Sequence, residues 1–391
     1  MYATQIGLVV GLATVYRFAG WPKFKSSDRR ACCLLMAILL ISLVSARLAS
    51  QSVPALAGVI DLTGASLAFV AMLDRRVKLR TVMLAFIFGL IIPVVVGLAQ
   101  VVFGESGASS LLGLATRDAD TLGDTVIMLA DGTRVLRAYG TFPHPNIFGG
   151  YLAIGILTCL SVSFGTTRWL TSRVRIGLLG WLGLGLLLTA SRSAVFGLLL
   201  GGGLVWLTAR MSRAMSRPLV ALQPMLALVA IVLVLATSVM APAVVTGLRG
   251  GGELEQRSLD ERVEQYREFP STLSGTTWLF GNGPRNYVFA LADARPARSA
   301  WEYQPIHNVF LLLLSELGLI GVITVSTMMV MLVRRSSIGW PQRETLFIQA
   351  MGIVLLTVGV FDHYLWSTWA GLVLVAYVGA LAIRLDQDVS G

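Results

Sequence analysis

Apolar runs of roughly 15 to 28 residues recur from one end of this chain to the other, each long enough to cross a bilayer as a helix. Inside lipid every backbone N–H and C=O must be satisfied within the protein, so such runs force helices. We read about eleven spans, near 3–20, 31–50, 52–73, 81–103, 143–165, 176–190, 192–208, 219–244, 306–333, 345–361 and 364–383. Only 13% of residues are charged, about half the share of a soluble domain. The expected fold is therefore an all-α polytopic membrane protein, one integral membrane domain over 1–391. Two longer exterior loops, 104–142 and 245–305, interrupt it. The start, Met1-Tyr2-Ala3-Thr4, lacks a basic region, so no cleaved signal peptide is expected.

A net charge of +10 would suit nucleic acid, but the basic residues are scattered through short loops, which argues for a chain that binds none. Lys23, Lys25, Arg29 and Arg30 share one loop; Arg75, Arg76, Lys78 and Arg80 share the next. Arg168, Arg173 and Arg175 follow, then Arg210, Arg213 and Arg217, then Arg334, Arg335 and Arg343. These clusters fall at every second loop, as the positive-inside rule requires. The N-terminus is then expected outside and the C-terminus, with Arg384, inside. Every exterior basic residue is an arginine, whose planar fork suits phosphate or carboxylate. An arginine bias throughout the chain would give the same pattern. The larger exterior loop mixes Glu253, Glu255, Asp260, Glu261, Glu264 and Glu268 with Arg257, Arg262 and Arg267, and 257–268 is expected to form an amphipathic helix along the membrane surface. Cys32, Cys33 and Cys159 lie in apolar segments without metal-site spacing, so neither metal nor cofactor is expected.

The polar residues that could carry chemistry gather on the expected exterior face. All three histidines, His144, His307 and His363, fall there. His307-Asn308 sits where the large loop re-enters the membrane; the positive end of the following helix disfavours an imidazolium and keeps the ring a proton acceptor. The same position also suits an interfacial histidine bonded to loop carbonyls. Glu316, nine residues on, lies about 180° round the helix and roughly 13 Å deeper, too far to orient His307. Asp362-His363 could pair a base with a carboxylate, although sequence neighbours point about 100° apart on a helix. Ser191-Arg192-Ser193 offers an anion clamp or a snorkelling guanidinium. Arg137 precedes Gly140-Thr141-Phe142-Pro143-His144-Pro145-Asn146, a rigid approach in which Asn146 could cap the next helix. Gly281-Asn282-Gly283-Pro284 reads as a tight turn whose N–H groups could line a site. Asp61, mid-span, is expected to pair with Arg47.

These residues, taken in order, resemble the O-antigen ligase and polymerase superfamily: Arg137 with Gly140 to Asn146, Ser191-Arg192, Ser258 with Arg262, Gly281-x-Gly283, and His307-Asn308 followed by Gly318-x-x-Gly321. The resemblance covers roughly 137–325. It implies a GT-C-like, metal-independent inverting glycosyltransferase of the bacterial inner membrane. The donor would be an undecaprenyl-pyrophosphate-linked glycan and the acceptor a glycan or lipid A-core hydroxyl, on the periplasmic or outer face. Arg192 and Arg262 would bind pyrophosphate, and His307 would deprotonate or position the acceptor. Arg137, His144, Asn146, Arg257, Asn308, Gly281, Gly283 and His363 would line the substrate site. Gly321 is followed by Val322-Ile323 rather than Thr-Gly, and the Pro-His-Pro-Asn element looks like the branch that polymerises O-antigen or exopolysaccharide repeat units. Ligation to lipid A-core, and transport of a lipid-linked glycan, are the alternatives.

Overall fold

The computed structural model describes residues 26–129, 131–164, 170–211, 253–296, 298–337 and 342–388, with scattered positions between 10 and 24. Helices α1 (Ser26–Arg47), α2 (Ser52–Leu73), α3 (Leu79–Gly89) and α4 (Ile91–Phe103) come first. Two antiparallel ribbons follow, β1 (Glu105–Ser106) with β2 (Arg117–Asp118) and β3 (Val126–Met128) with β4 (Arg134–Leu136). Next come α5 (Pro145–Phe164), α6 (Ser172–Thr189), α7 (Arg192–Met211) and α8 (Glu253–Glu268). The chain closes with α9 (Thr277–Phe280), α10 (Tyr287–Ala294), α11 (Val309–Ser337), α12 (Gln342–Phe361), α13 (Tyr364–Ser367) and α14 (Trp369–Asp388).

By length and composition, six helical stretches among the described residues can cross a membrane: Asp28–Arg47, Ser52–Leu73, Leu79–Phe103, Pro145–Val162, Ser172–Thr189 and Val309–Arg334. The expected spans 192–208, 345–361 and 364–383 correspond to shorter apolar helices, Arg192–Thr208, Leu346–Phe361 and Trp369–Arg384. The expected span 219–244 and most of 3–20 lie outside the described residues. Among the described residues the chain is mostly helical, and the strands are confined to the expected exterior loop 104–142. Among the described residues, the stretch Leu79–Phe103 is divided into α3 and α4 at Leu90, and two later apolar runs are also interrupted. Gly318 (φ 66°, ψ −173°) interrupts α11, a backbone region open in practice only to glycine. Thr368 is extended (φ −124°, ψ 146°) and separates α13 from α14.

The chain divides into two compact units. The first contains Met1–Leu79, Asp260–Gly339 and Gly359–Gly391. Its membrane core joins Ala31 of α1, Phe69 and Leu73 of α2, and Ala376, Ala380 and Ile383 of α14, with Met328, Met331 and Leu332 of α11 against them. In lipid the hydrophobic effect gives helices no reason to associate, so close packing must do it, and small residues mark the contacts. A Cβ on Gly64 would come within 2.6 Å of the Trp369 ring, and one on Gly58 within 2.6 Å of Pro284. At the same end as the Phe69 cluster, Arg384, 1% exposed, donates to the carbonyls of Met72 (2.8 Å), in the last turn of α2, and Val77 (2.5 Å), just beyond it. Arg75 pairs with Asp28 there at 3.4 Å. Since the C-terminal half of α11 packs on this cluster, its N-terminus, with His307, lies at the opposite end of the unit.

The second unit contains Arg80–Leu259 and Trp340–Val358. In it α7 meets α12 through Gly201, where a Cβ would come within 2.7 Å of the Ala350 carbonyl oxygen. Its neighbours Gly202 and Gly203 face open space.

Candidate functional site

The site of the first unit is assembled on α8. Its sequence, Glu253 to Glu268, alternates charges at helical spacing, so it is a helix with one face against the protein rather than a span. Arg262, Gln265 and Tyr266 stand at i, i+3 and i+4 and share that helix's face. Arg298 clamps the far end of α8, donating to Glu264 at 2.8 Å and to both carboxylate oxygens of Glu268, one at 2.8 Å. Beneath α8 lies an apolar cluster of Phe269, Leu273, Tyr287, Leu291, Ile306 and Leu312. Together these hold the helix over the start of α11.

Gln265, nearly buried, reaches His307 with one oxygen. Its Oε1 accepts the His307 backbone N–H at 3.1 Å and lies 3.0 Å from His307 Nδ1. A backbone N–H can only donate, so the shared atom is an oxygen acceptor, and Nδ1 must carry the ring proton. The lone pair of His307 is thereby assigned to Nε2. The ring is half-buried and its pKa is lowered to about 4, first by burial and then by the neighbouring His363, with Arg262 adding to the depression and Asp362 opposing it. His307 is therefore a neutral base at physiological pH.

Asn308, the expected substrate ligand next door, caps α11. Its Oδ1 accepts the N–H groups of Phe310 (2.9 Å) and Leu311 (3.1 Å), and its Nδ2 donates to Tyr266 Oη (3.3 Å) and to the Val360 carbonyl (3.4 Å). An N-cap of this kind stabilises a helix by about 1 kcal/mol. His363 stands with its ring centroid 5.3 Å from that of His307, edge to face at 70°. Its Nδ1 shares a 2.6 Å hydrogen bond with Ser367 Oγ, and its backbone N–H donates to Asp362 Oδ1 at 2.7 Å. Burial holds its pKa below the ordinary histidine value, with Asp362 partly offsetting the shift.

Deeper in α11, the break at Gly318 is filled by the turn that carries Gly281 and Gly283. A Cβ on Gly318 would come within 2.3 Å of the Leu279 carbonyl, and one on Gly281 within 2.3 Å of the Glu316 carbonyl. The exposed carbonyls of the break are met by that turn: Asn282 N–H donates to Ser315 O (2.7 Å) and Gly283 N–H to Glu316 O (3.0 Å). These N–H groups therefore hold α11 rather than line a ligand site. The Glu316 carboxylate, 3% exposed, accepts Trp366 Nε1–H at 2.8 Å and the backbone N–H groups of Arg285 and Tyr287. Asp61, Arg285, Glu316 and Trp366 line a small crevice with Gly58 and Pro284. The expected Arg47–Asp61 pair does not form. Asp61 pairs with Arg285, while Arg47 is exposed in the last turn of α1, where a cation suits the helix dipole.

The second unit holds the remaining expected residues. Arg137 donates to the Thr189 carbonyl at the end of α6 (2.7 Å) and to Asn146 Oδ1 (2.7 Å). His144, not Asn146, caps α5: its Nδ1 accepts the Asn146 backbone N–H at 3.1 Å, with Pro145 opening the helix. Its Nε2 then carries the proton, 3.4 Å from Thr125 Oγ1, the reverse of the tautomer at His307. Arg192, exposed, opens α7 directly after Ser191. Arg257 lies on α8. Among the described residues no group of three or more His, Cys, Asp or Glu has the arrangement to hold a metal ion.

A helical chain with this many apolar spans is a multi-pass membrane protein. A family model described as O-Antigen ligase matches residues 176–326, which supports the chain's likeness to the O-antigen ligase and polymerase superfamily. No curated protein matches it. The matched stretch includes Arg192, Arg262, His307, the break at Gly318 and the turn at Gly281, but not Arg137, His144 or His363. That match supports, in general terms, an enzyme that transfers glycan, with a lipid-linked glycan and an acceptor as partners.

Gln265, Arg285, Tyr266 and Trp366 were not expected as site residues. Gln265 and Tyr266 lie in a helix whose charges suggest a solvated surface, and Arg285 lies 224 residues from Asp61. The only signal in the sequence was their neighbourhood: Gln265 and Tyr266 follow Arg262 at helical spacing.

Proposed function

We propose that this chain is a metal-independent inverting glycosyltransferase of the bacterial inner membrane, with a GT-C-like fold. It moves a glycan from undecaprenyl pyrophosphate to an acceptor hydroxyl on the periplasmic or outer face. The acceptor is a second lipid-linked repeat unit, so the product is a growing O-antigen or exopolysaccharide chain. The observation that carries this reading is the neutral His307, with its Nε2 lone pair defined by Gln265, beside the guanidinium of Arg262.

In the reaction the acceptor oxygen bonds to the anomeric carbon as the bond to pyrophosphate breaks. The electron pair leaves with the pyrophosphate, where Arg262 stabilises the added charge. The hydroxyl proton goes to His307 Nε2. A ring with a pKa of about 4 is a weak base, but the attacking hydroxyl becomes strongly acidic as its bond to carbon forms, so a late proton transfer suffices. Burial beside Arg262 then favours loss of that proton to water and resets the ring.

A broken helix such as α11 is also a device of transporters, whose breaks expose backbone to an ion or substrate at mid-bilayer. Here the break is filled by the Gly281 turn and its carbonyls are bonded to protein, which favours an enzyme. Ligation to lipid A-core is the second reading, and the description of the matching family favours it. Purified protein given only lipid-linked repeat units separates the two. A ladder of longer glycans supports polymerisation. Transfer that starts only when lipid A-core is added makes it a ligase. No transfer to either acceptor contradicts a glycosyltransferase. Chelator is expected to leave the rate unchanged, and loss restored by added Mg²⁺ would overturn the metal-independent part.

A further inference from the structure

We propose that Gln265 is a positioning residue that fixes the tautomer of His307 and makes Nε2 the atom that meets the acceptor hydroxyl. The inference rests on the catalytic reading of His307 given above and assigns Gln265 a role exerted through His307. Three observations carry it. One amide oxygen accepts both the His307 backbone N–H (3.1 Å) and the Nδ1–H (3.0 Å), so the ring's position and its proton are fixed by the same atom. Gln265 is itself held, 9% exposed, on a helix whose end is clamped by Arg298 through Glu264 and Glu268. Gln265 also lies less than one turn from Arg262 and Tyr266, so the element that orients the base also presents the anion-binding guanidinium and the tyrosine bonded to the cap of α11.

The amide is suited to this role because it is neutral. A carboxylate at the same place would also accept both N–H groups, but it would stabilise the imidazolium and keep the ring protonated. A neutral acceptor sets the tautomer without adding a proton. The charged and titratable groups that face the ring are His363 and Asp362 from the α12–α13 turn and Arg262 from α8. Asp362 alone favours the imidazolium. The amide therefore leaves the balance on the neutral side, where a carboxylate would tip it.

Two variants of the full chain, purified in detergent, test this. Gln265→Glu keeps both acceptor bonds and adds charge; Gln265→Met keeps shape and removes the acceptor. His307 is titrated by its rate of modification with diethylpyrocarbonate across pH, read by peptide mass spectrometry. The expected midpoint is about 4 in the parent, and Gln265→Glu should raise it by about 1–3 pH units. In Gln265→Met, kcat should fall about 10–100-fold, within the contribution of a general base, with the donor KM unchanged within about twofold. An unchanged midpoint in Gln265→Glu, or an unchanged kcat in Gln265→Met, overturns the proposal. Because the modification assay needs no transfer, a shifted midpoint in a protein that transfers no glycan would retain the tautomer assignment and reject the catalytic reading.

Discussion

The pH dependence of transfer follows directly from the surroundings of His307. Its ring is neutral above a pKa of about 4, against an ordinary value of 6.5. The rate should follow the neutral fraction. At pH 5 that fraction is about 0.9 for the depressed ring but only about 0.03 for an unperturbed histidine. Transfer should therefore stay nearly flat from pH 8 down to pH 5 and fall only below it. Since His307 and His363 are in ring contact, the limb belongs to the pair rather than to one ring. The assay is the initial rate of glycan transfer over pH 4–8 at saturating donor, with a return to pH 7.5 after each exposure to exclude acid inactivation. The unfolded chain takes up a proton between pH 6.5 and about 4 that the folded ring refuses, so stability drops as pH falls through that window, and the return step is essential. A reversible acid limb centred near 6.5 would refute the argument that burial and cationic neighbours keep His307 neutral.

Arg262 contributes to the same depression and to the leaving group. Arg262→Ala should lower turnover, weaken donor binding and move the acid limb upward; unchanged kinetics with an unmoved limb would remove it from the site. Gly318→Ala forces a Cβ to within 2.3 Å of the Leu279 carbonyl at a φ of 66°. The strained backbone alone costs on the order of 1–3 kcal/mol, so a loss of several degrees in the detergent melting temperature is expected, and an unchanged melt would mean that the break in α11 is absent. Asp61→Ala leaves Arg285 without its partner while Arg285→Ala leaves a buried carboxylate, so the second should be the more destabilising, by about 1–3 kcal/mol at a partly exposed pair. Equal melts for both would contradict the pairing.

The helices were legible because hydropathy and length alone select them. What escaped the sequence was where some of them break. Residues 306–333 form one apolar run, and Gly318 within it does not reveal that the Gly281 turn inserts beside it. The split at Thr368 was hidden because residues 364–383 run through it without a charged side chain. Asp61 was recognisable as a charge needing a partner, and its partner was misassigned because Arg47 lies close in sequence while Arg285 reaches it from a distant turn. At the site, the histidines and arginines stood out as rare polar residues near expected span ends. Gln265 did not, because a neutral side chain in a charged helix carries no signal until the fold sets it against His307. The roles of Asn308 and His144 as helix caps depend on hydrogen bonds that residue type permits but does not dictate.

The central claim is that His307 takes the acceptor proton in glycan transfer. The direct test compares the parent and His307→Ala, purified and eluting identically in detergent, with undecaprenyl-pyrophosphate-linked repeat units as the only substrate. Glycan growth by the parent, reduced at least about 100-fold in the variant, is the predicted result. Growth at the parental rate without the imidazole would contradict the account.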